Sequence, residues 1–154
     1  MSSSLGTPAL ADRSSARGVL ASLGPTTHAV LRIAAGLLFM QHGVQKLFGM
    51  FGGVGETPGT AAPLVSQMGL AGVLECFGGL LLVLGLFTRP VAFLLAGEML
   101  VAYFQAHFPQ GAWPIQNGGE VALLFMVIFL FLAANGAGPA SLDASRTRGA
   151  AITG

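Results

Sequence analysis

Residues 28–48 read HAVLRIAAGLLFMQHGVQKLF, an apolar stretch that carries two basic side chains, Arg32 and Lys46. An α-helix rises about 1.5 Å per residue, and about 20 residues therefore cross the hydrocarbon core of a bilayer. The stretch has this length and this composition, so it predicts a transmembrane helix.

Three further apolar segments follow, and segments rich in Gly and Pro separate several of them, as expected for loops. The predicted spans cover residues 69–87, 91–108 and 119–134. Between the second and third spans, Arg89 and Pro90 predict a tight turn, with the proline suited to the start of a helix. The pattern predicts an all-α fold, an integral membrane four-helix bundle over residues 28–136.

The composition agrees with a membrane location. Of the 154 residues, 53% are hydrophobic and 8% are charged, whereas about 25% of the residues of a soluble domain are charged. So few charges cannot cover a soluble surface, and the apolar surplus must face the lipid bilayer. The net charge is +1 without a clustered basic face, which argues against a nucleic-acid partner.

The chain has a single cysteine, Cys76. One cysteine forms neither an internal disulfide nor a CxxC redox pair, and no phosphate-binding, zinc-protease or hydrolase motif is found in the sequence. We therefore expect no intrinsic cofactor and no metal site. Any electron-transfer role then requires a bound cofactor or a partner.

The two ends of the chain differ from the spans in composition. Residues 1–27 are rich in Ser, Ala and Gly and contain no long apolar run, so they are not a secretory signal peptide. We expect a flexible or partner-bound tail there, with a short interfacial helix around residues 19–23 as the alternative. Residues 137–154 are expected to form a cytoplasmic C-terminal tail.

Basic residues outside the spans predict the orientation of the bundle. They lie in segments that all fall on one side of it: Arg13, Arg17, Arg89, Arg146 and Arg148. The other two connections, residues 49–68 and 109–118, contain no Lys or Arg. Because cytoplasmic loops carry the excess of Lys and Arg, both termini are predicted to be cytoplasmic.

Charged side chains within or at the edges of the spans are candidates for a functional site, because an unpaired charge in the membrane is costly. Estimated depth brings one group to the outer level of the bundle, with Glu98 below it near the midplane. The candidates for this polar cluster or ligand site are His42, Lys46, Glu75, Glu98, Asn117 and Glu120. Arg32 lies near the cytoplasmic end and is a candidate for a buried ion pair with Glu98.

Helical periodicity of about 100° per residue supports this grouping. On the second span, Glu75 shares one side with Gly72, Gly78, Gly79 and Leu82. Glycines beside a carboxylate predict a tightly packed interior face.

Structural explanations remain open for each of these residues. Lys46 lies near a helix end, where its side chain can extend to the lipid head groups. Glu120 at a helix start can complement the helix dipole, and His42 can be a packed histidine with one hydrogen bond.

Several of these motifs, in this order, resemble those of the DoxX family over residues 28–143. The matching segments are Leu31-Arg32 with Gly36, residues 41–49 (QHGVQKLFG), 74–79 (LECFGG), 85–89 (GLFTR), 98–99 (EM) and 117–120 (NGGE). The resemblance implies a multi-pass protein of the bacterial inner membrane. It also implies an association with membrane oxidoreductase systems, including thiosulfate:quinone oxidoreductase subunits.

Three functions are compatible with these observations. The first is an accessory, rather than stand-alone catalytic, subunit of an oxidoreductase or electron-transfer complex that contacts quinone through the polar cluster. The second is a purely structural subunit that stabilises a complex of other membrane protein subunits. The third is a small-solute or proton transporter, which a charge near the midplane favours but which lacks repeat or broken-helix signals.

Overall fold

The computed structural model describes residues 9–152, and the regular structure in this range is helical. The α-helices are α1 (Ala9–Phe48), α2 (Gln67–Leu84), α3 (Thr88–Ala102), α4 (Pro114–Asn117), α5 (Glu120–Asn135) and α6 (Leu142–Ile152). A π-helical turn, Tyr103–His107, and a 3-10 turn, Phe108–Gln110, continue α3. The predicted all-α membrane bundle is thereby confirmed.

In the described part of the chain, three helical segments are long and apolar enough to cross a membrane: Ala21–Phe48, Gln67–Leu84 and Thr88–Gln110. The fourth, α5, is apolar but has 16 residues. At 1.5 Å per residue it is about 24 Å long, less than the roughly 30 Å of a bilayer core. A crossing by α5 therefore requires that flanking residues or local thinning of the bilayer supply the difference.

Both predicted tails contain helix in the described range. Helix α1 begins at Ala9, so it covers residues 9–27 of the predicted N-terminal tail, and residues 1–8 lie outside the described part of the chain. At the other end, α6 forms within residues 137–154, of which 153–154 lie outside that part.

Glycines bring α1 and α2 into close contact. A Cβ atom on Gly43 would lie 2.7 Å from Cα of Cys76, and one on Gly36 would lie 2.7 Å from the carbonyl oxygen of Gly79. The buried face of α2 contains Gly72, Glu75, Gly78, Gly79 and Leu82, together with Gly69. This confirms the interior face that the sequence predicts.

The apolar core lies where the four long helices meet. The ring of Phe39 on α1 contacts those of Phe125 and Phe129 on α5, with centroids 5.2 and 4.8 Å apart. Leu82 of α2 and Leu95 of α3 are fully buried beside them. Helix α1 packs mainly against α2, and α3 mainly against α5, so the bundle consists of two tight pairs.

Arg32 holds together three segments at one end of the bundle. Its guanidinium donates to the carbonyl oxygens of Leu82 (2.5 Å) and Val83 (2.9 Å) at the end of α2. It also donates to those of Ala137 (3.0 Å) and Ala140 (2.6 Å) after α5. The expected ion pair with Glu98 was therefore wrong, because carbonyl oxygens at the end of α2 and in the segment after α5 satisfy this arginine instead.

The same end is fastened by Asp143 of α6, which caps α3. Its carboxylate oxygens accept hydrogen bonds from the backbone N–H groups of Phe87 and Thr88, each at 2.9 Å. Partial burial acts to raise the pKa of Asp143, but these hydrogen bonds outweigh that effect and lower the pKa below its ordinary value. The C-terminal helix is thus attached to the turn between α2 and α3.

Candidate functional site

A large groove of about 1190 Å³ lies mainly between α2 and α3, with α1 and α5 contributing its inner walls. Its lining is largely apolar. Leu70 on α2 and Phe93 and Leu94 on α3 line it and are more than half exposed. Because these side chains belong to membrane-spanning helices, the groove opens toward lipid.

Lys46 and Glu75 form an ion pair on the inner wall of this groove. Lys46 Nζ donates to Glu75 Oε1. The side chain of Glu75 is 2% exposed and that of Lys46 17% exposed. The pair joins α1 to α2 and brings these two predicted residues together.

Three carboxylate oxygens in the groove have no hydrogen-bond partner among the described residues. They are Oε2 of Glu75 and both Oε1 and Oε2 of Glu98. Glu98 is on α3 and lines the groove opposite α2. Buried polar atoms are almost always paired in folded proteins, so these unpaired oxygens mark a place where a further group is needed.

His42 lines the same groove from α1. Its ring meets that of Phe125 edge to face, with centroids 6.2 Å apart. The imidazole is exposed to the groove rather than packed in the core. Four of the six predicted cluster residues therefore share one cavity: His42, Lys46, Glu75 and Glu98.

The other two predicted residues lie outside the groove lining. Asn117 is buried, but its side chain bonds the loop that precedes α5, donating to Gly111 O (2.7 Å) and accepting from Gly119 N (2.8 Å). Glu120 is exposed at the first residue of α5. Asn117 therefore orders the loop, and Glu120 is in position to complement the dipole of α5.

At one end of the groove, an amide pair that the sequence analysis did not identify connects α2 to α3. Gln67 Nε2 donates to Gln105 Oε1, and both residues line the groove. Gln105 belongs to the π-helical turn, a feature that is frequent at functional sites. Gln105 lies seven residues after Glu98, and this spacing could have predicted that the two residues share one helix face.

His107 ends the π-helical turn and also lines the groove. Its Nδ1 lies 3.1 Å from the carbonyl oxygen of Asn117, which connects the groove to the loop before α5.

Gly97 also lines the groove, and a Cβ atom built on it would meet no atom within 4 Å. A larger side chain at this position would therefore project into open space without disturbing the helix.

Among the side chains that the structure describes, no group of three or more His, Cys, Asp or Glu residues has a metal-binding arrangement. What the groove offers is a pair of carboxylates, one ammonium group and one imidazole surrounded by apolar walls.

Comparison with known proteins gives two matches. The family model for DoxX matches residues 27–108. A Haemophilus influenzae protein described as an uncharacterized protein is 42% identical over 118 residues, which is 75% of this chain and 87% of that protein. No solved structure matches the chain significantly. The family match includes every polar groove residue described above.

Proposed function

The chain belongs to the DoxX family of membrane proteins, and on that premise we propose that it is an accessory subunit of a membrane oxidoreductase that binds a quinone in the groove between α2 and α3. One observation supports this most directly. Three ionisable groups line an apolar groove that is open to lipid: Glu75 is buried, and Lys46 and Glu98 are half-buried.

The shape of the groove suits such a ligand. Typical small-molecule sites have volumes of about 300–1,000 Å³ and apolar walls with a few polar groups. A volume of about 1190 Å³ accommodates a quinone ring and the first part of its tail. The ring would lie near Phe39 and Phe125 on the inner wall, and the tail would leave between α2 and α3.

The polar groups suit the chemistry of a quinone. Reduction to the quinol adds two electrons to the conjugated ring and one proton to each of the two carbonyl oxygens. Lys46 carries N–H groups that can polarise a ring oxygen, and His42 and the two carboxyl groups can transfer protons. Since the lone Cys76 cannot form an internal thiol pair, a partner subunit would supply or remove the electrons.

The experiment is a binding titration of the purified protein in mild detergent with a decyl-substituted benzoquinone. Gly97→Leu fills the groove, and we expect it to weaken quinone binding at least tenfold. Gly24→Leu is the matched control, because Gly24 also has no atom near its Cβ position and does not line the groove. Binding by Gly97→Leu equal to that of Gly24→Leu would exclude the groove as the quinone site.

We further propose that the protein resides in the bacterial inner membrane with both termini in the cytoplasm. The basic residues support this orientation, since Arg89 and Arg146 gather at the end of the bundle where α2 meets α3. There, Arg89 donates to the carbonyl oxygen of Ala134 (2.5 Å), and the Arg146 guanidinium lies 5.0 Å from the ring centroid of Phe87.

A further inference from the structure

We infer that the groove prefers a head group that donates hydrogen bonds, so that it binds a hydroquinone more tightly than the corresponding quinone. This inference rests on the proposed function and specifies the redox state of the ligand. It follows from the buried polar atoms that have no hydrogen-bond partner among the described groove-lining residues, which are all oxygens of carboxyl groups.

The hydrogen-bonding capacity of the groove is unbalanced. Lys46 and Oε1 of Glu75 are engaged with each other. Oε2 of Glu75 and the two oxygens of Glu98 have no partner among the residues that the structure describes. An ionised carboxylate only accepts hydrogen bonds, so the unsatisfied atoms call for donors. The need for a donor is greatest at Glu75, because its side chain is 2% exposed and therefore has little contact with solvent or lipid.

The imbalance persists if one carboxyl group carries a proton. A protonated Glu98 has one O–H donor and keeps acceptor capacity on its oxygens, while Oε2 of Glu75 remains an acceptor. A buried acceptor without a partner among the described residues is thus present in either state. When both carboxyl groups are ionised, formal charge points the same way, because Lys46 balances one carboxylate of two.

The two redox forms of the ligand differ in their capacity to donate hydrogen bonds. A quinone has two carbonyl oxygens, which only accept, whereas a hydroquinone has two O–H groups, which donate and accept. A quinone can use the remaining N–H groups of Lys46 but leaves Glu98 unsatisfied. A hydroquinone can bond Lys46 through one oxygen and donate to Glu98 through the other.

Glu98 must turn toward the ligand for this contact, since both of its oxygens are buried. The three side-chain torsions of a glutamate permit that rotation, and open space beside Gly97, one residue earlier on α3, leaves room for the ring. Hydrogen bonds to charged groups are stronger than those between neutral groups. We therefore expect about tenfold tighter binding of the hydroquinone.

The test is a pair of anaerobic titrations of the full-length protein with decyl-benzoquinone and decyl-hydroquinone. The dimethyl ether of the hydroquinone, which keeps the ring and tail but lacks both O–H groups, is the ligand control. The expected result is tighter binding of the hydroquinone than of either other compound. Equal or tighter binding of the quinone overturns this inference and leaves the proposed function intact. Saturable binding of none of the three overturns the proposed function itself.

Glu98→Gln tests the assignment to this side chain. Glutamine replaces one acceptor oxygen by an amide N–H₂ donor, so the ratio of hydroquinone to quinone affinity should fall toward one. Thermal unfolding of the variant in detergent verifies its fold. A ratio unchanged from the wild type would overturn the role of Glu98. Because the wild-type titrations need no variant, the inference remains testable if Glu98→Gln does not fold.

Discussion

Glu75 has two oxygens in different situations, and this difference separates a structural role from a ligand-binding one. Oε1 accepts the hydrogen bond from Lys46, which joins α1 to α2. Oε2 has no partner among the described residues. A residue that served only to hold two helices together would need the first contact alone.

Glu75→Gln is expected to destabilise the protein, because it leaves Lys46 without its counter-charge. Breaking a buried pair in this way costs about 3–5 kcal/mol in soluble proteins. Replacing both members of a pair by apolar residues of similar volume is often neutral or stabilising. The double variant Lys46→Met with Glu75→Met should therefore recover the melting temperature.

Ligand binding by the double variant then distinguishes the two roles. If the pair belongs to a quinone site, the recovered protein should bind decyl-benzoquinone at least tenfold more weakly than the wild type. Melting temperature and binding are measured on the same detergent preparation. Wild-type binding by the stable double variant would show that the pair is structural only and would favour the structural-subunit hypothesis.

At the scale of the elements, α1 and α2 pack closely because small residues lie along their contact. Gly36 and Gly43 on α1 face Gly79 and Cys76 on α2. Close backbone approach through small residues is the usual way that membrane helices associate, since lipid provides no hydrophobic driving force between them. The Lys46–Glu75 pair lies on this contact and depends on its spacing.

Gly43→Ala should therefore destabilise the bundle by about 1–3 kcal/mol, the usual cost of overpacking. A Cβ atom on Gly43 would lie 2.7 Å from Cα of Cys76, and a backbone atom cannot move aside without separating the helices. The matched control is Gly97→Ala, also in a spanning helix but facing open space. Melting temperatures of both variants in one detergent provide the measurement. Equal values would contradict the close α1–α2 contact.

The helix faces could be predicted from the sequence, whereas the groove could not. On α2, the spacing of Gly72, Glu75 and Gly79 identified the buried side, because helical periodicity is a local property. The open space beside Gly97 depends on how far apart α2 and α3 lie, which no local pattern encodes. The partners of Arg32 were missed for the same reason, since they are backbone oxygens of distant segments.

The π-helical turn illustrates a second limit. Nothing in the residues 103–107 (YFQAH) distinguishes this turn from an α-helix by periodicity alone. The spacing from Glu98 could have placed Gln105, but that His107, two residues later, also lines the groove needed the structure.

At the scale of the whole molecule, the two ends of the bundle differ in charge and in construction. One end is fastened by Arg32, Arg89 and Asp143, which bond backbone groups of neighbouring segments. The connections at the other end, residues 49–66 and 111–119, contain no Lys or Arg. This asymmetry is the basis for proposing that the fastened end faces the cytoplasm.

Cysteine labelling tests this orientation, and the lone Cys76 makes the chain well suited to it. In a Cys76→Ala background, single cysteines are introduced by Glu56→Cys after α1, Ile115→Cys in α4 and Thr147→Cys in α6, all at exposed positions. A membrane-impermeant maleimide added to intact spheroplasts should label the first two. Thr147→Cys should react only after the membrane is permeabilised, which serves as the internal control.

The pattern of labelling also tests whether α5 crosses the membrane. Helix α5 has 16 residues, and the connection before it, residues 111–119, has no charged side chain to hold it at the outer surface. If α5 spans, Ile115→Cys and Thr147→Cys must react on opposite sides. Reaction of both in sealed spheroplasts would contradict four crossings, and reaction of Thr147→Cys alone would reverse the orientation. Four spans and a cytoplasmic α6 require that Thr147→Cys is protected and that the other two cysteines are labelled. In that arrangement the basic residues outside the spans lie on the cytoplasmic side, where Lys and Arg are enriched.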